Sequence, residues 1–182
     1  MTSTEAGLLV VLGIVFSVYT FVFRQNVRAN AVVFLLGCAI GFLAQLPLGP
    51  ELNRYTSNIS LYISYVSVAV IITWGIGLTS FHAAHLWAAR LAGVTPGLTL
   101  YFLCGVPIIA ITEIIGSNVL SMKLHNYPAY SPLMPQFNAM HAPAWLYAYY
   151  GFIAWIFFYL LKALRIGAGD QRPPARREPG LS

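Results

Sequence analysis

The strongest constraint on the fold is a series of apolar segments that are each long enough to cross a lipid bilayer. A membrane-spanning helix needs about 20 mostly apolar residues. Charged residues make up 8% of the chain and hydrophobic residues 58%, whereas a soluble domain carries about 25% charged residues. The sequence therefore predicts an all-α, polytopic membrane protein, a bundle of five transmembrane helices at about 6–23, 31–48, 60–81, 97–120 and 144–165. The third helix is expected to continue through about residue 91.

The positions of Lys and Arg predict the orientation of these helices, because basic residues are enriched in cytoplasmic segments. An outside N-terminus and an inside C-terminus leave only Arg54 and Lys123 in the outer segments. The remaining basic residues then lie inside, namely Arg24, Arg28, Arg90, Lys162, Arg165, Arg172, Arg176 and Arg177. The predicted membrane is the plasma membrane in a bacterium or the endoplasmic reticulum in a eukaryote. No basic run alternates with base-stacking aromatics, so no nucleic-acid partner is expected.

Two segments differ in composition from the predicted helices of the transmembrane domain, residues 1–166. The connection 121–143 contains several prolines, which exclude one continuous helix, but it is also rich in Met, Leu, Phe and Tyr. We expect it to be an ordered outer loop that covers the mouth of the bundle. The tail 167–182 is rich in Gly, Pro and Arg, and we expect it to be disordered beside anionic membrane lipids.

Glu113 is the only acidic residue inside the predicted spans. A charged side chain at the centre of a membrane helix costs about 3 kcal/mol, so such residues usually face the bundle interior with a partner. Burial disfavours the ionised form, and no basic residue shares the predicted depth of Glu113. The sequence therefore indicates a neutral carboxyl that can donate a proton. The alternative is a protonated glutamate that only joins two helices through a hydrogen bond.

The groups expected to reach Glu113 come from the outer side of the membrane, because Glu113 lies roughly 10 Å below the outer end of its span. The predicted catalytic residues are Glu113, His125 and His141. The predicted substrate-binding residues are Asn118, Tyr127, Asn138, Trp145, Tyr149 and Trp155. Aromatic faces stabilise cations, so this set favours carbocation chemistry. Ordinary aromatic packing and solvated histidines at the membrane interface are the alternatives.

Metal and redox chemistry are not predicted, and no cofactor is expected. His82 and His85 are one helical turn apart, but they are predicted to lie at the inner interface, far from the two outer histidines. Cys38 and Cys104 lie within apolar runs and form no Cys-x-x-Cys motif, so we expect buried thiols rather than a disulfide framework.

The stretches "TEIIGSN" and "HAPAWLYAYYGFIAW", joined by a loop rich in His, Tyr and Pro, resemble those of membrane proteins that modify isoprenoids. Carotenoid hydratases are similar in the acidic residue followed by Gly and a Tyr/Pro-rich loop, and emopamil-binding sterol isomerases in the five spans and an acid beside an aromatic helix. The resemblance covers about residues 107–160 and carries over only Glu113 and Trp155. The second acid of the sterol isomerases has no counterpart in the predicted spans, and of their Asn-Ala-Leu-Trp pattern only the Trp is present.

Three functions remain open from the sequence. The first is an enzyme that acts on a lipid or isoprenoid by acid-base chemistry, as a cyclase, hydratase or other lyase, or isomerase. The second is a non-catalytic subunit of a larger membrane complex that binds a pigment or quinone. The third is a small proton-coupled transporter. The expected partners are membrane lipids, a hydrophobic small-molecule substrate and, for the second function, other membrane subunits.

Overall fold

The chain is mostly helical in the computed structural model, which describes residues 3–22, 26–52, 61–119 and 144–166. The helices are α1 (Ser3–Ser17), α2 (Val27–Gln45), α3 (Gly49–Leu52), α4 (Val68–Ala92), α5 (Leu98–Ile114) and α6 (Ala144–Ala163). Three of them continue beyond these bounds: α1 and α5 through the π-helical turns Val18–Val22 and Ile115–Val119, and α2 through the 3-10 turn Leu46–Leu48. The predicted helical class is confirmed.

Three apolar helices in the described part of the chain are long enough to cross a membrane, namely Val27–Leu48, Val68–Ala92 and Ala144–Ala163. Two shorter apolar helices, Ala6–Ser17 and Leu98–Ile114, accompany them. The coarse prediction of membrane-length apolar helices is therefore confirmed. The number of spans and their orientation stay predictions. The expected outer loop 121–143 and the expected tail 167–182 fall outside the described residues.

The third predicted helix begins later than the sequence indicated. Tyr62–Ile63 (β1) pairs antiparallel with Val66–Ser67 (β2), and the turn between them contains Ser64 with a φ of 60°. The Ser67 hydroxyl then caps α4 by accepting from the Ala69 N–H at 3.2 Å. The predicted start at residue 60 was wrong because residues 62–66 are rich in aromatic and β-branched side chains, which favour strands, and because Ser67 supplies a helix cap.

Glycines bring α2 and α4 close together. A Cβ atom at Gly37 would lie 3.1 Å from the Gly75 Cα, and one at Gly41 would overlap the Trp74 side chain. These pairings show that the two helices run antiparallel. Small residues spaced four apart are a common device for close helix packing in membranes, and Gly37 and Gly41 have this spacing.

The core surrounds α4. Gly105 on α5 lies under the Phe81 ring, where a Cβ atom would overlap it. The largest buried cluster joins α2, α4, α5 and α6, and a smaller one joins α1 to α4. The first consists of Val33, Leu78, Phe81, Tyr101, Ala154, Phe157 and Leu161, and the second of Leu8, Ala69 and Ile76. The hydroxyl of Tyr19, just beyond α1, donates to the Ser80 hydroxyl on α4.

Candidate functional site

A cavity of about 170 Å³ adjoins Glu113, where the last turns of α2 and α5 meet the first half of α4 and the first turns of α6. Its lining is largely apolar, with a few polar side chains contributed by different helices. The polar members are Gln45, Thr73, Thr112, Glu113 and Tyr150, and the aromatic members are Trp74, Phe81 and Tyr150.

The spacing of residues on α5 explains why Glu113 faces this cavity. Ile109, Thr112, Glu113 and Gly116 all line it, and they follow one another at intervals of three, one and three residues. Residues at this spacing share one face of a helix. Other α5 positions, such as Leu103 and Val106, are exposed on the outside of the bundle. Glu113 is thus half-buried on the inward face of an otherwise apolar helix.

Gln45 is a cavity residue that the sequence reasoning missed. It ends α2 and is only 1% exposed, although a buried polar side chain of this size is uncommon. It contributes an amide to the lining that contains the Glu113 carboxyl. The available signal was its position inside the predicted span 31–48, in "GFLAQLPL". Polar residues within a span often mark functional positions, but the uncharged polar residues of the second predicted span were not considered as site residues.

The aromatic wall of the cavity comes from α4 and α6. The Trp74 and Tyr150 rings meet edge to face, with centroids 5.0 Å apart and an interplanar angle of 88°. Phe81 lines the cavity about one helical turn beyond Leu78. Trp74 was not predicted as a site residue, because only the fifth predicted span, with its many aromatic side chains, was expected to supply the wall.

The predicted aromatic residues of α6 lie elsewhere. Trp145 is 54% exposed and Trp155 is 42% exposed, so both lie on the outside of the helix, away from the cavity. The Tyr149 hydroxyl donates to the Ala44 carbonyl at 2.7 Å. Ala44 is in the last turn of α2, where helix carbonyls lack partners within the helix. Tyr149 therefore joins α6 to α2.

The predicted polar residues beyond Glu113 are only partly described. Asn118 is exposed, and its side-chain amide donates to the Ile114 carbonyl at 3.0 Å. It does not line the cavity beside Glu113. His125, Tyr127, Asn138 and His141 lie outside the described residues, so their predicted roles stay predictions.

His82 and His85 are buried in the bundle, 8% and 3% exposed. The His85 ring meets Tyr101 and Phe158 at centroid distances of 5.5 Å and 5.8 Å. These side chains are packed between helices because α4 is the central helix and α5 and α6 cover its later turns. Their predicted depth at the inner interface stays a prediction. Within the described residues, no group of three or more His, Cys, Asp or Glu side chains could hold a metal ion. Cys38 and Cys104 are free thiols.

The cavity is suited to a small apolar group that meets a proton donor. An engineered cavity of roughly 150 Å³ is known to bind benzene, so the space beside Glu113 accepts a group of about six carbons. Comparisons with protein-family models, curated proteins and solved structures found no match. What the chain does is therefore inferred from the residues around Glu113.

Proposed function

We propose that this protein is an integral membrane enzyme that transfers a proton between Glu113 and an alkene group of a lipid or isoprenoid substrate. The observation that supports this function best is the position of Glu113 in a small, largely apolar cavity beside the rings of Trp74, Phe81 and Tyr150. A titratable residue in a concave apolar site with convergent polar groups is the usual starting point for an active-site hypothesis.

The simplest reaction of this kind is an isomerisation. The neutral Glu113 carboxyl gives its proton to one alkene carbon, the π electron pair forms the new C–H bond, and the other alkene carbon becomes a cation. The Glu113 carboxylate then removes a proton from a carbon next to the cation. The C–H electron pair forms the shifted double bond, and the acid is regenerated without a co-reactant. Capture of the same cation by water or by a second alkene would give a hydratase or a cyclase.

The cavity lining matches the needs of this reaction. Aromatic rings stabilise a cation beside their faces, and Trp74 and Tyr150 come from two helices that the core holds together. The Gln45 amide provides both a donor and an acceptor, which suits the orientation of a carboxyl group as it changes between its acid and anion forms. The apolar remainder of the lining disfavours a permanent charge on Glu113.

The proposed membrane arrangement is five spans, with the N-terminus outside. Residues 3–22 and 98–119 each form a continuous helical stretch of roughly 30 Å at 1.5 Å per residue, which matches the hydrocarbon thickness. Large apolar side chains on both stretches point away from the bundle, as expected for contact with lipid. They are Val10, Ile14, Phe21, Leu103, Val106 and Val119.

The side of α6 that faces away from the bundle favours a second candidate function, a non-catalytic subunit of a larger membrane complex. Phe152 and Trp155 are both exposed, and their rings stack with an interplanar angle of 15° and centroids 5.8 Å apart. Tyr159 extends this aromatic surface, with its ring 5.1 Å from Trp155. Such a surface suits a pigment or another membrane helix. In that case Glu113 would have only a structural role.

Replacement of Glu113 by glutamine tests the enzyme. Glu113→Gln keeps the shape of the side chain and removes the proton donor, so we expect normal membrane insertion and at least a 100-fold loss of product, about the lower end of the general-acid contribution. The measurement is mass spectrometry of lipid extracts from a producing host that carries the wild type, the variant or a deletion. Glu178→Gln makes the same chemical change in the tail and should leave the profile unchanged.

Two outcomes would contradict the proposed enzymatic function. Identical lipid profiles in the deletion and the wild type would mean that the protein makes no lipid product. A wild-type product level in Glu113→Gln, together with its loss in the deletion, would show that the carboxyl does not donate the proton.

A further inference from the structure

A second and larger cavity, of about 360 Å³, lies between α1, α4 and α5. Aliphatic side chains from all three helices form most of its lining. Representative members are Leu8, Val11, Val15, Ile76, Ile108 and Ile115. This cavity is about twice as large as the one beside Glu113, and no step of the proposed reaction takes place in it.

The two cavities adjoin in the crevice between α4 and α5. Thr73, Thr112 and Gly116 line both of them. A Cβ atom at Gly116 would meet no other atom within 4 Å, so the boundary between the cavities contains open space at this position. A group that occupies the Glu113 cavity therefore has room to continue past Gly116 towards α1.

Three of the four hydroxyl side chains that line the second cavity direct their protons to other protein groups. The Thr73 hydroxyl donates to the Ala69 carbonyl at 2.9 Å, and the Ser80 hydroxyl donates to the Ile76 carbonyl at 2.7 Å. Tyr19 donates to Ser80 in turn. Since these donors are already used, a polar ligand would lose more hydrogen bonds on entry than it gained. The cavity is suited to hydrocarbon.

We propose that the second cavity holds the linear hydrocarbon tail of the molecule whose alkene reaches Glu113, and that Gly116 determines the length of tail that is accepted. This inference rests on the proposed function. If about 150 Å³ holds six carbons, the first cavity, of about 170 Å³, accommodates one five-carbon unit and the second, of about 360 Å³, at least two more. The tail would pass between α4 and α5 at Gly116, where the two cavities share lining residues.

A side chain at position 116 should separate the two cavities. Gly116→Leu projects into open space and blocks the passage, whereas Gly13→Leu is the matched control. A Cβ atom at Gly13 would also meet no other atom within 4 Å, but Gly13 is exposed and lines neither cavity. Val15→Phe is a second blocking variant, because it fills the second cavity from α1 without changing a glycine.

The test measures how tightly the detergent-purified full chain binds linear alcohols of increasing length, by titration of the unfolding temperature. The probes are geraniol, with two five-carbon units, farnesol, with three, and palmitoleyl alcohol as an unbranched acyl-type chain. We expect the wild type to bind farnesol at least about 10-fold more tightly than geraniol, from the extra buried apolar surface. In Gly116→Leu and Val15→Phe farnesol should lose more affinity than geraniol, so that the two affinities become equal. Gly13→Leu should keep the wild-type preference.

Several results would overturn the inference. One is a farnesol preference that survives in both blocking variants, and another is an equal loss of geraniol and farnesol binding in them. Binding of palmitoleyl alcohol that matches farnesol and does not respond to Gly116→Leu would assign the cavity to a resident membrane lipid. Failure of the wild type to bind any of these alcohols would also overturn it.

The same binding measurement distinguishes failure of the proposed tail site from failure of the proposed reaction. Glu113→Gln should retain the farnesol preference although it makes no product. If Glu113→Gln makes normal product while Gly116→Leu still abolishes the preference, the proposed reaction fails and the tail site stands.

Discussion

At the scale of single residues, His85 places polar ring nitrogens in a buried, largely aromatic environment. Within the described residues its ring nitrogens make no hydrogen bond of good geometry, although the Gly97 backbone lies near the ring. The hydroxyl of Tyr101, which is 0% exposed, has no such bond there either. The side-chain nitrogen of Asn30, near the start of α2, is also buried without such a partner in the described part of the chain. A buried polar group without a partner costs about 1–3 kcal/mol. These buried polar groups therefore lower the free energy of unfolding.

We predict that His85→Phe stabilises the protein. The substitution removes two polar nitrogens and keeps an aromatic ring beside Tyr101 and Phe158. A gain of about 1 kcal/mol corresponds to a rise in unfolding temperature of roughly 2–4 °C for a chain of this size. Thermal unfolding in detergent measures it, and Tyr101→Phe, which removes one hydroxyl, should act in the same direction. A clear fall in unfolding temperature in both variants would show that these groups have favourable partners.

Glu113 could be identified from the sequence as a candidate site residue, because a carboxyl inside an apolar span has a high free-energy cost. Its neighbours Gln45 and Trp74 could not be identified in the same way. Which helices lie beside one another depends on packing, and here the placement of α2 against α4 depends on Gly37 and Gly41. The predicted depth of Glu113 in the membrane led us to expect its neighbours in the loop 121–143 and on α6. In the structure, helix packing also places Gln45 of α2 and Trp74 of α4 in the cavity lining.

At the scale of helices, the α2–α4 contact should be the most sensitive to added volume. We predict that Gly41→Ala destabilises the protein by about 1–3 kcal/mol, the usual range for overpacking. The added methyl group would overlap the Trp74 Cβ, which cannot move without the backbone of α4. Since Trp74 lines the Glu113 cavity, product formation should fall as well. Gly13→Ala is the control, and unchanged unfolding temperatures in both variants would contradict this account of the contact.

Helix boundaries show where apolar length is a good guide and where it is not. The fifth predicted span, 144–165, agrees closely with Ala144–Ala163, because a long uninterrupted apolar run has few alternatives to a helix. The third did not agree at its start, since the hairpin before Val68 is apolar too. Apolar length cannot separate a strand from a helix there. The aromatic and β-branched composition of residues 62–66 and the Ser67 cap both favour the strand before the helix, and both were present in the sequence.

At the scale of the whole molecule, the bundle has two chemically different ends. The Glu113 cavity lies where α2 and α5 end and where α4 and α6 begin. The described basic side chains lie at the opposite end: Arg28 near the start of α2, Arg90 near the end of α4, and Lys162 and Arg165 at the end of α6. Since basic residues mark the cytoplasmic side, this separation supports a cavity in the outer half of the membrane.

We predict that the C-terminus is inside and that the segment after α3 is outside. In a bacterial host, green fluorescent protein fluoresces only when fused at an inside position, and alkaline phosphatase is active only at an outside position. Fusions after Ser182 and after Val94 should therefore fluoresce, and fusions after Leu52 should show phosphatase activity. Each reporter at the other's positions is the control. The reverse pattern at all three sites would place Glu113 in the inner half of the membrane. If the same reporter were active at both Leu52 and Val94, α4 would not cross the membrane.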